Sequence, residues 1–521
     1  MKMAVSRMSG LASGMDIDTM VKNMMSAQRK PVDKMLQQKQ ILQWQRDDYR
    51  EMNTKISAYR TNKLSNYRLE STFSVKKAEV SGSTDSLSAT PTGDAEVGAT
   101  TIKVTKLATS ASNSSSSNIK VADATLDIDA TLGMQDINLA GDFTKTNGVF
   151  DKMSFKINGT EITVDPSVDS FNDVIKRINS KTNVTALFDS VSGKVSLSAK
   201  NTGATNISAD GKITNMDKIQ LDDVKGDFLS NIFKVKKEDG KAADKAVFSI
   251  NGLETTRDSN TFTVNGLKLT LKSPTTEAGA LISVQTDVDK IVENVKSFIT
   301  DYNEILKAVN DKNSEARYRD YTPLTTEQKA DMKEADITLW ETKAKSGLLK
   351  SDSILTAAST SMRFDTSTPV STGSKYNSLT SLGISTGAYN EQGKLYLDDE
   401  NKLRAALEAD PESVKNIFTS VGDRTKKSTM GVAQRLYSDL EKTISSFKQK
   451  AGFPSAYDSS DLDNSLLGAQ LYRLNREITS NNDRLKIVEN RYYNQFSAME
   501  SAINKYNQQS SYISQNFGTN S

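Results

Sequence analysis

Residues 469–517 read AQLYRLNREITSNNDRLKIVENRYYNQFSAMESAINKYNQQSSYISQNF, without a proline or a glycine. Within them Leu471, Ile478, Leu485, Tyr492, Met499 and Tyr506 recur at steps of seven. Leu474, Asn481, Val488, Gln495, Ala502 and Gln509 follow them by three. This is the a/d seam of a coiled-coil helix, widened on one side by Phe496 and Ile503. One helix of that length spans roughly 70 Å at 1.5 Å per residue. A single small domain does not cover it, so it requires partner helices. The polar positions Asn481, Gln495 and Gln509 trade stability for control of register or oligomer state. The pattern fits an intramolecular helical hairpin and an intermolecular bundle equally well.

The obvious partner lies at the other end of the chain. Asp16 is placed to cap a helix starting near Ile17, with Thr19 as the alternative cap. Pro31 is predicted to separate a short helix from a longer one. Beyond it, Met35, Leu42, Tyr49 and Ile56 recur at steps of seven, and Met52 and Tyr59 follow Tyr49 and Ile56 by three. Gln38 and Gln45 also fall on this seam and weaken it as an isolated zipper. The helix is predicted to end near Leu69.

Between the helical ends the texture changes. From residue 73 to about 284, Ser, Thr, Asn, Asp and Gly dominate, and β-branched residues alternate with polar ones. Thr101, Ile102, Lys103, Val104 and Thr105 form such an alternation. The Ser/Asn tract 110–118 reads as a loop or subdomain border. Phe155-Lys156-Ile157-Asn158-Gly159 is echoed by Phe248-Ser249-Ile250-Asn251-Gly252. Each predicts a strand entering a type I′ turn. Residues 161–164 are expected as the partner strand after the first. After the second, residues 262–264 and 267–271 are expected to extend the same sheet across Asn265-Gly266. Phe171, Val174, Ile175 and Ile178 predict a helix capped by Ser170.

From Val288 the helical period returns, with Ile291, Val295, Phe298, Tyr302, Ile305 and Val309 on one stripe. Residues 324–339 read as polar and partly helical, starting at Thr326. Residues 382–384 and 393–397 predict a hairpin. Asp398, Asp399 and Glu400 lead into a helix around Leu403 and Leu407, and Pro411 opens another through Val414, Ile417 and Phe418. The fold class is therefore α+β, with terminal helices forming a coiled coil and a helical domain around inserted β-rich domains.

Composition narrows the function. The 521 residues allow about three or four domains at ~150 residues each. Lys+Arg of 67 nearly cancels Asp+Glu of 65, so no basic excess points to nucleic acid. There is no cysteine and no histidine. Disulfides, thiolate metal sites, and Ser–His–Asp or Cys–His catalysis are thereby excluded. The first 18 residues lack the apolar stretch of a signal peptide, and no run of about 20 apolar residues predicts a membrane span.

Nor does any motif carry chemistry. Gly10-Leu11-Ala12-Ser13-Gly14 lacks the spacing of a nucleophile elbow and reads as a turn before a helix cap. Asp127 and Asp129 begin like a calcium loop, but Leu132 stands where that loop needs Gly and Asn138 where it needs Glu. Asp398, Asp399 and Glu400 read as a helix-start charge cluster. Arg491-Tyr492-Tyr493 reads as helix seam rather than a base-stacking platform. No cofactor or metal is expected.

The ends also carry a resemblance. Gly10, Leu11, Ala12, Ser13, Gly14, Met15, Asp16, Ile17 and Asp18 form a stretch similar to the N-terminal signature of the flagellar filament-capping family (FliD, flagellar hook-associated protein 2). Residues 21–31 and 43–50 fit the same family. Residues 491–500 resemble its C-terminal signature, and the 382–397 and 410–418 segments match it as well. The likeness spans essentially the whole chain and is least specific in the middle. The Ile-Asn-Gly segments resemble a module shared among flagellin and hook-related proteins. Met15 stands where relatives often have Leu.

That resemblance implies a non-enzymatic cap at the tip of the extracellular flagellar filament. The protein would leave the cell through the flagellar type III apparatus without a cleaved signal. It would form a ring-like homo-oligomer, with a pentamer the expected count. It would promote insertion and polymerisation of arriving flagellin and prevent its leakage. Hook–filament junction proteins and a cytoplasmic export chaperone, the latter at the C-terminal helical region, are further implied partners. The implied domains are an N-terminal leg segment (1–40), a helical domain (41–72 and 287–425), a β-rich head (73–118 and 246–286), an inserted outer α+β head (119–245) and a C-terminal coiled-coil leg (426–521). The leg and assembly candidates are Gly10, Leu11, Ala12, Ser13, Gly14, Asp16, Ile17, Leu471, Ile478, Leu485, Tyr492, Phe496, Met499 and Ile503. Two other classes fit the same outline: a surface adhesin with a helical stalk and β-rich binding head, and a flagellin-like filament subunit.

Overall fold

Asp16 opens the first helix, its carboxylate accepting from the Thr19 N–H at 3.0 Å. The computed structural model describes residues 16–122, 124–203, 206–207, 213–214, 218–453 and 463–517. They divide into two units, one built from Met1–Ser74 and Val288–Ser521, the other from Val75–Asp287. Among the described residues no helix is long and apolar enough to cross a membrane.

In the first unit the N-terminal helix Ile17–Ala58 runs unbroken for 42 residues and contains Pro31. The predicted break at Pro31 is thus wrong. A proline removes one backbone N–H bond and crowds the carbonyl four residues back. Pro31 sits on the exposed face, where the freed Ala27 carbonyl is placed to be solvated. The buried neighbours Val21, Met25 and Val32 hold the helix on both sides of it. A π-helical turn, Tyr59–Leu64, follows, and short helices Ser65–Tyr67 and Glu70–Phe73 end the segment.

The helix Val288–Ser314 buries the whole predicted stripe, from Ile291 through Phe298 and Tyr302 to Val309. Aromatic contacts knit it to its surroundings: Phe298 meets Tyr67 edge-on at 5.4 Å, and Phe73 stacks on Phe418 at 4.2 Å. Helices Ser353–Ser367, Glu400–Ala409, Pro411–Thr419 and Val432–Ala451 complete this core. Asp399 and Asp410 cap the second and third of these, and Pro411 occupies the first turn of the third. Ile384–Thr386 pairs with Leu395–Leu397 as the expected hairpin. The stretch around 324–345 forms two helices, Thr326–Ala330 and Glu334–Lys345, the first capped by Thr325, one residue before the predicted start.

The second unit holds two separate hydrophobic cores. One gathers residues between Leu87 and Ala108 with others between Ala246 and Val284. It lies among a five-stranded antiparallel sheet, ordered Lys76–Gly82, Ala280–Thr286, Gly98–Lys106, Ala246–Ile250, Leu253–Arg257, and a three-stranded sheet, ordered Thr261–Val264, Leu267–Leu271, Leu87–Pro91. The other core gathers residues between Ala111 and Ala243, with Phe155 stacked on Phe228 at 5.2 Å. Its helix Phe171–Lys181 carries a capping box, Ser170 with Asp173.

Asn-Gly turns shape these sheets. Asn158 (φ +48°), Asn251 (φ +49°) and Asn265 (φ +49°) each adopt the left-handed conformation with the following glycine, as type I′ turns require. The second turn corrects the predicted topology. It leads directly into Leu253–Arg257, which pairs with Ala246–Ile250, whereas Thr261–Val264 belongs to the other sheet. A five-residue strand of Leu, Glu, Thr and Arg has too little apolar alternation to be read as one. The tract 110–118 is also more ordered than predicted. Ser112–Ser114 pairs with Lys194–Ala199, and the buried Ser115 hydroxyl accepts from the Val195 N–H at 2.8 Å.

Candidate functional site

The two chain ends meet as an antiparallel pair of helices, Ile17–Ala58 against Leu466–Phe517. Ile17, Val21 and Met25 are buried at four-residue steps and pack on Leu485, Val488, Tyr492, Tyr493 and Phe496. Further along, Val32 joins Leu474 and Ile478, with Met35, Leu42 and Leu485 around them. Polar contacts fix the register. The Tyr493 hydroxyl donates to Asp18 at 2.9 Å. The Asn481 amide lies 3.9 Å from the Met35 sulfur while donating to the Glu477 carbonyl at 2.9 Å. Asn481 thus occupies the seam without a strong cross-helix bond, as a polar residue that weakens pairing does.

At the start of the pair, the Thr19 hydroxyl and then the Thr19 N–H hold the Asp16 carboxyl below the usual carboxylate range. At its upper end, Arg50 donates to the Ala451 carbonyl at 2.9 Å and to Asp463 at 3.1 Å. That joins the end of helix Val432–Ala451 to the start of the C-terminal helix. Around this point the N-terminal helix changes partners: Tyr49 packs on Phe447 at 5.8 Å and donates to Asp352 at 2.6 Å. The predicted seam from Met35 to Tyr59 is therefore two seams in series, one on the C-terminal helix and one on the helical core.

The candidate residues fall into three groups. Gly10, Leu11, Ala12, Ser13 and Gly14 lie outside the described residues. Ile17, Ile478, Leu485, Tyr492 and Phe496 come together along the helix pair, while Asp16 caps the first helix and Leu471 is buried on the second. Met499 and Tyr506 are exposed and Ile503 is half-buried. They lie beyond Phe496, past the level of Ile17, where the described part of the N-terminal helix begins. Sequence reasoning missed Val21, Met25 and Val32, having broken the helix at Pro31. Their spacing from Ile17, together with Val32 beyond the proline, was the available signal.

A second cluster was also missed. Asp365 and Arg435 are fully buried. Arg435 donates to the carbonyls of Thr368, Pro369 and Lys427 at 2.6, 2.8 and 2.6 Å, and to that of Asp365 at 3.2 Å. It thereby closes the end of helix Ser353–Ser367. Lys427 bridges Asp365, at 2.7 Å, and Asp439. Burial pushes the Asp365 carboxyl up to about 6. Burial acts the same way on Asp439, but hydrogen bonds from Lys427 and Lys442 bring it below the usual range. This arrangement fastens helix Ser353–Ser367 to helix Val432–Ala451. Among the described residues no cluster of His, Cys, Asp or Glu is placed to hold a metal ion. Asp127 accepts from the Asp129 N–H at 3.1 Å and Asp399 caps a helix, so both acidic pairs serve local turns.

Residues 243–508 match the family described as flagellar hook-associated protein 2 C-terminus, and residues 13–111 match its N-terminus counterpart. A flagellar hook-associated protein 2 from Halalkalibacterium halodurans is 32% identical over 543 residues, covering 98% of this chain and 100% of the relative. One from Thermotoga maritima is 28% identical over 375 residues, covering 69% of this chain and 54% of the relative. The crystal structure of the D1-D2-D3 domains of the flagellar cap protein FliD from Escherichia coli is similar at a TM-score of 0.49 and 22% identity, covering 76% of this chain and 96% of that chain. With one family description matching more than half of its length and a full-length relative at 32% identity, this chain belongs to the flagellar hook-associated protein 2 family.

Proposed function

We propose that this protein caps the flagellar filament. In this reading it forms a ring-like homo-oligomer, taken as a pentamer, at the filament tip. The ring promotes insertion and polymerisation of exported flagellin and prevents its escape. The observation that carries the reading is the full-length relationship to a flagellar hook-associated protein 2. The paired chain ends support it: a leg that follows changing sites needs weak, renewable contacts, and Asn481 in the seam supplies a weak point. The missing histidine and cysteine support a role without catalysis.

The domain assignment belongs to the same proposal. Residues 1–40 and 452–521 form the leg, and 41–72 and 287–451 the helical domain; the border expected at 425 moves to 451 because helix Val432–Ala451 packs in the helical core. Residues 73–118 and 246–286 form one β-rich head domain and 119–245 the other, a division supported by the two separate cores. Gly10 to Gly14, Asp16, Ile17 and the seam from Leu471 to Ile503 are the proposed assembly residues. Export proceeds through the flagellar type III apparatus without a cleaved signal. A cytoplasmic chaperone holds the C-terminal helical region beforehand, and hook–filament junction proteins seat the cap.

Native mass spectrometry of the purified chain, with electron microscopy of filament tips, tests this. A closed ring of fixed subunit number at the tip is expected. Long filaments formed by the chain alone would place it among filament subunits instead.

A further inference from the structure

Buried positions along the first helix run through Tyr49, Met52, Asn53, Ile56 and Tyr59, then jump to Leu64 and Tyr67. A regular α-helix returns to the same face after three or four residues. The step of five from Tyr59 to Leu64 therefore holds one residue too many, and an unbroken α-helix would point Lys63 at the core in place of Leu64. The fold absorbs the extra residue in the π-helical turn, where the Ser65 N–H donates to the Arg60 carbonyl five residues back.

The surroundings of the turn are unevenly satisfied. The Thr61 hydroxyl donates to the Ser57 carbonyl at 2.8 Å, and the Ser65 hydroxyl donates to the Thr61 carbonyl. Such back-bonding compensates a loosened ladder and bends helices. Tyr59, at the head of the turn, is buried, and its hydroxyl has no hydrogen-bond partner among the described residues. The end beyond the turn is pinned: Leu64 is fully buried, and Tyr67 donates to Asp301 at 2.7 Å. Arg68 lies on the Tyr437 ring, 3.8 Å from its centroid, whereas Arg60, inside the turn and 3.7 Å from the same centroid, leaves the ring when it is passed. A cavity of about 460 Å³ between the turn and helix Val288–Ser314 is lined by Tyr59 itself with Ala58, Asn62, Ile305 and Ala308, and is rimmed by charged side chains, Asp301 and Glu304 among them.

We propose that this turn is a register hinge, whose extra residue moves toward the N-terminus and rotates the residues it passes while both ends of the helix stay seated. Each residue passed turns by about 100° and advances about 1.5 Å. Tyr59 swings out of its unsatisfied position, its hydroxyl reaches water, and the cavity takes up the displaced backbone. The helix thus gains a second arrangement between two anchored seams without unfolding either. This inference is independent of the cap reading.

The chain has no cysteine, so a spin-label pair introduced in the full chain as Thr61→Cys, at an exposed position inside the turn, and Lys307→Cys reads the geometry directly. Two distance populations are expected. Deleting Asn62, an exposed residue of the turn, removes the extra residue and leaves one population. Tyr59→Phe removes the unpaired hydroxyl and shifts the populations at least fivefold toward the observed register. A single narrow distance in the otherwise unaltered chain, unchanged by Tyr59→Phe, overturns the proposal. That outcome decides the matter even where the deletion variant does not fold.

Discussion

Truncating Val21 to alanine isolates the contact between the two chain ends. Val21 is 1% exposed and sits between Ile17 and Met25 against Leu485, Val488, Tyr492 and Phe496. Val21→Ala removes two buried methyl groups, worth about 1.6 kcal/mol at ~0.8 kcal/mol each. The cavity left behind adds to this where the seam does not close. The pair opens from its end rather than with the whole unit, so the loss falls on local opening. At about 1.4 kcal/mol per tenfold change, exchange from the open state speeds up roughly 14-fold. Hydrogen exchange with mass spectrometry on the full chain, under conditions where closing outpaces exchange, reads this for residues 17–25 and 485–496 together. Met24→Ala, on a side chain 41% exposed, is the control and leaves both segments nearly unchanged. Equal effects from the two variants, or faster exchange in residues 17–25 alone, would refute the pairing.

Other expected outcomes follow from individual side chains. Pro31→Ala restores a backbone bond in an exposed stretch of helix and raises protection around residues 27–35, by up to about 3 kcal/mol on helix propensities; hydrogen exchange measures it. Arg435→Met leaves four carbonyls without their buried donor and costs about 3–5 kcal/mol in chemical denaturation of the helical signal. Asp365 gives a pH signature. Its folded pKa, near 6, lies above the ordinary carboxylate value, so the folded state takes up the proton first. Its burial therefore costs stability above pH 6, and that cost is relieved as pH falls from 7 toward 4. The melting temperature of the unaltered chain should accordingly rise relative to Asp365→Asn as pH is lowered through that window. A constant difference would contradict it. Asp439, with a lowered pKa, loses its contribution only further toward acid.

Long-period features were legible in the sequence and short-range compensations were not. The stripe from Ile291 to Val309 and the seam from Leu471 to Tyr492 repeat over many turns, so any one exception leaves the pattern intact. Ser170, Asp399 and Pro411 act through neighbours three or four residues away, and each caps or starts a helix as expected. Pro31 misled because its cost depends on which face of the helix it occupies, and that is fixed by tertiary packing of Val21, Met25 and Val32. The strand Leu253–Arg257 was hidden because its pairing comes from the Asn251-Gly252 turn rather than from apolar alternation. Arg435 and Asp365 gave no signal. Buried charges become intelligible only when carbonyls from Thr368, Pro369 and Lys427 are brought around them. Of the candidate residues, those between Leu471 and Phe496 follow the heptad period, whereas Met499 lies past the level of Ile17, where the described part of the partner helix begins.

The central claim is that this chain keeps exported flagellin at the filament tip. Deleting its gene and measuring flagellin in culture medium and on cells tests that claim most directly. The account predicts loss of long filaments, release of monomeric flagellin in comparable total amount, and restoration of both by the full-length chain supplied in trans. Filaments of normal length and number in the deletion strain, with only attachment to surfaces impaired, would contradict it and point to an adhesin.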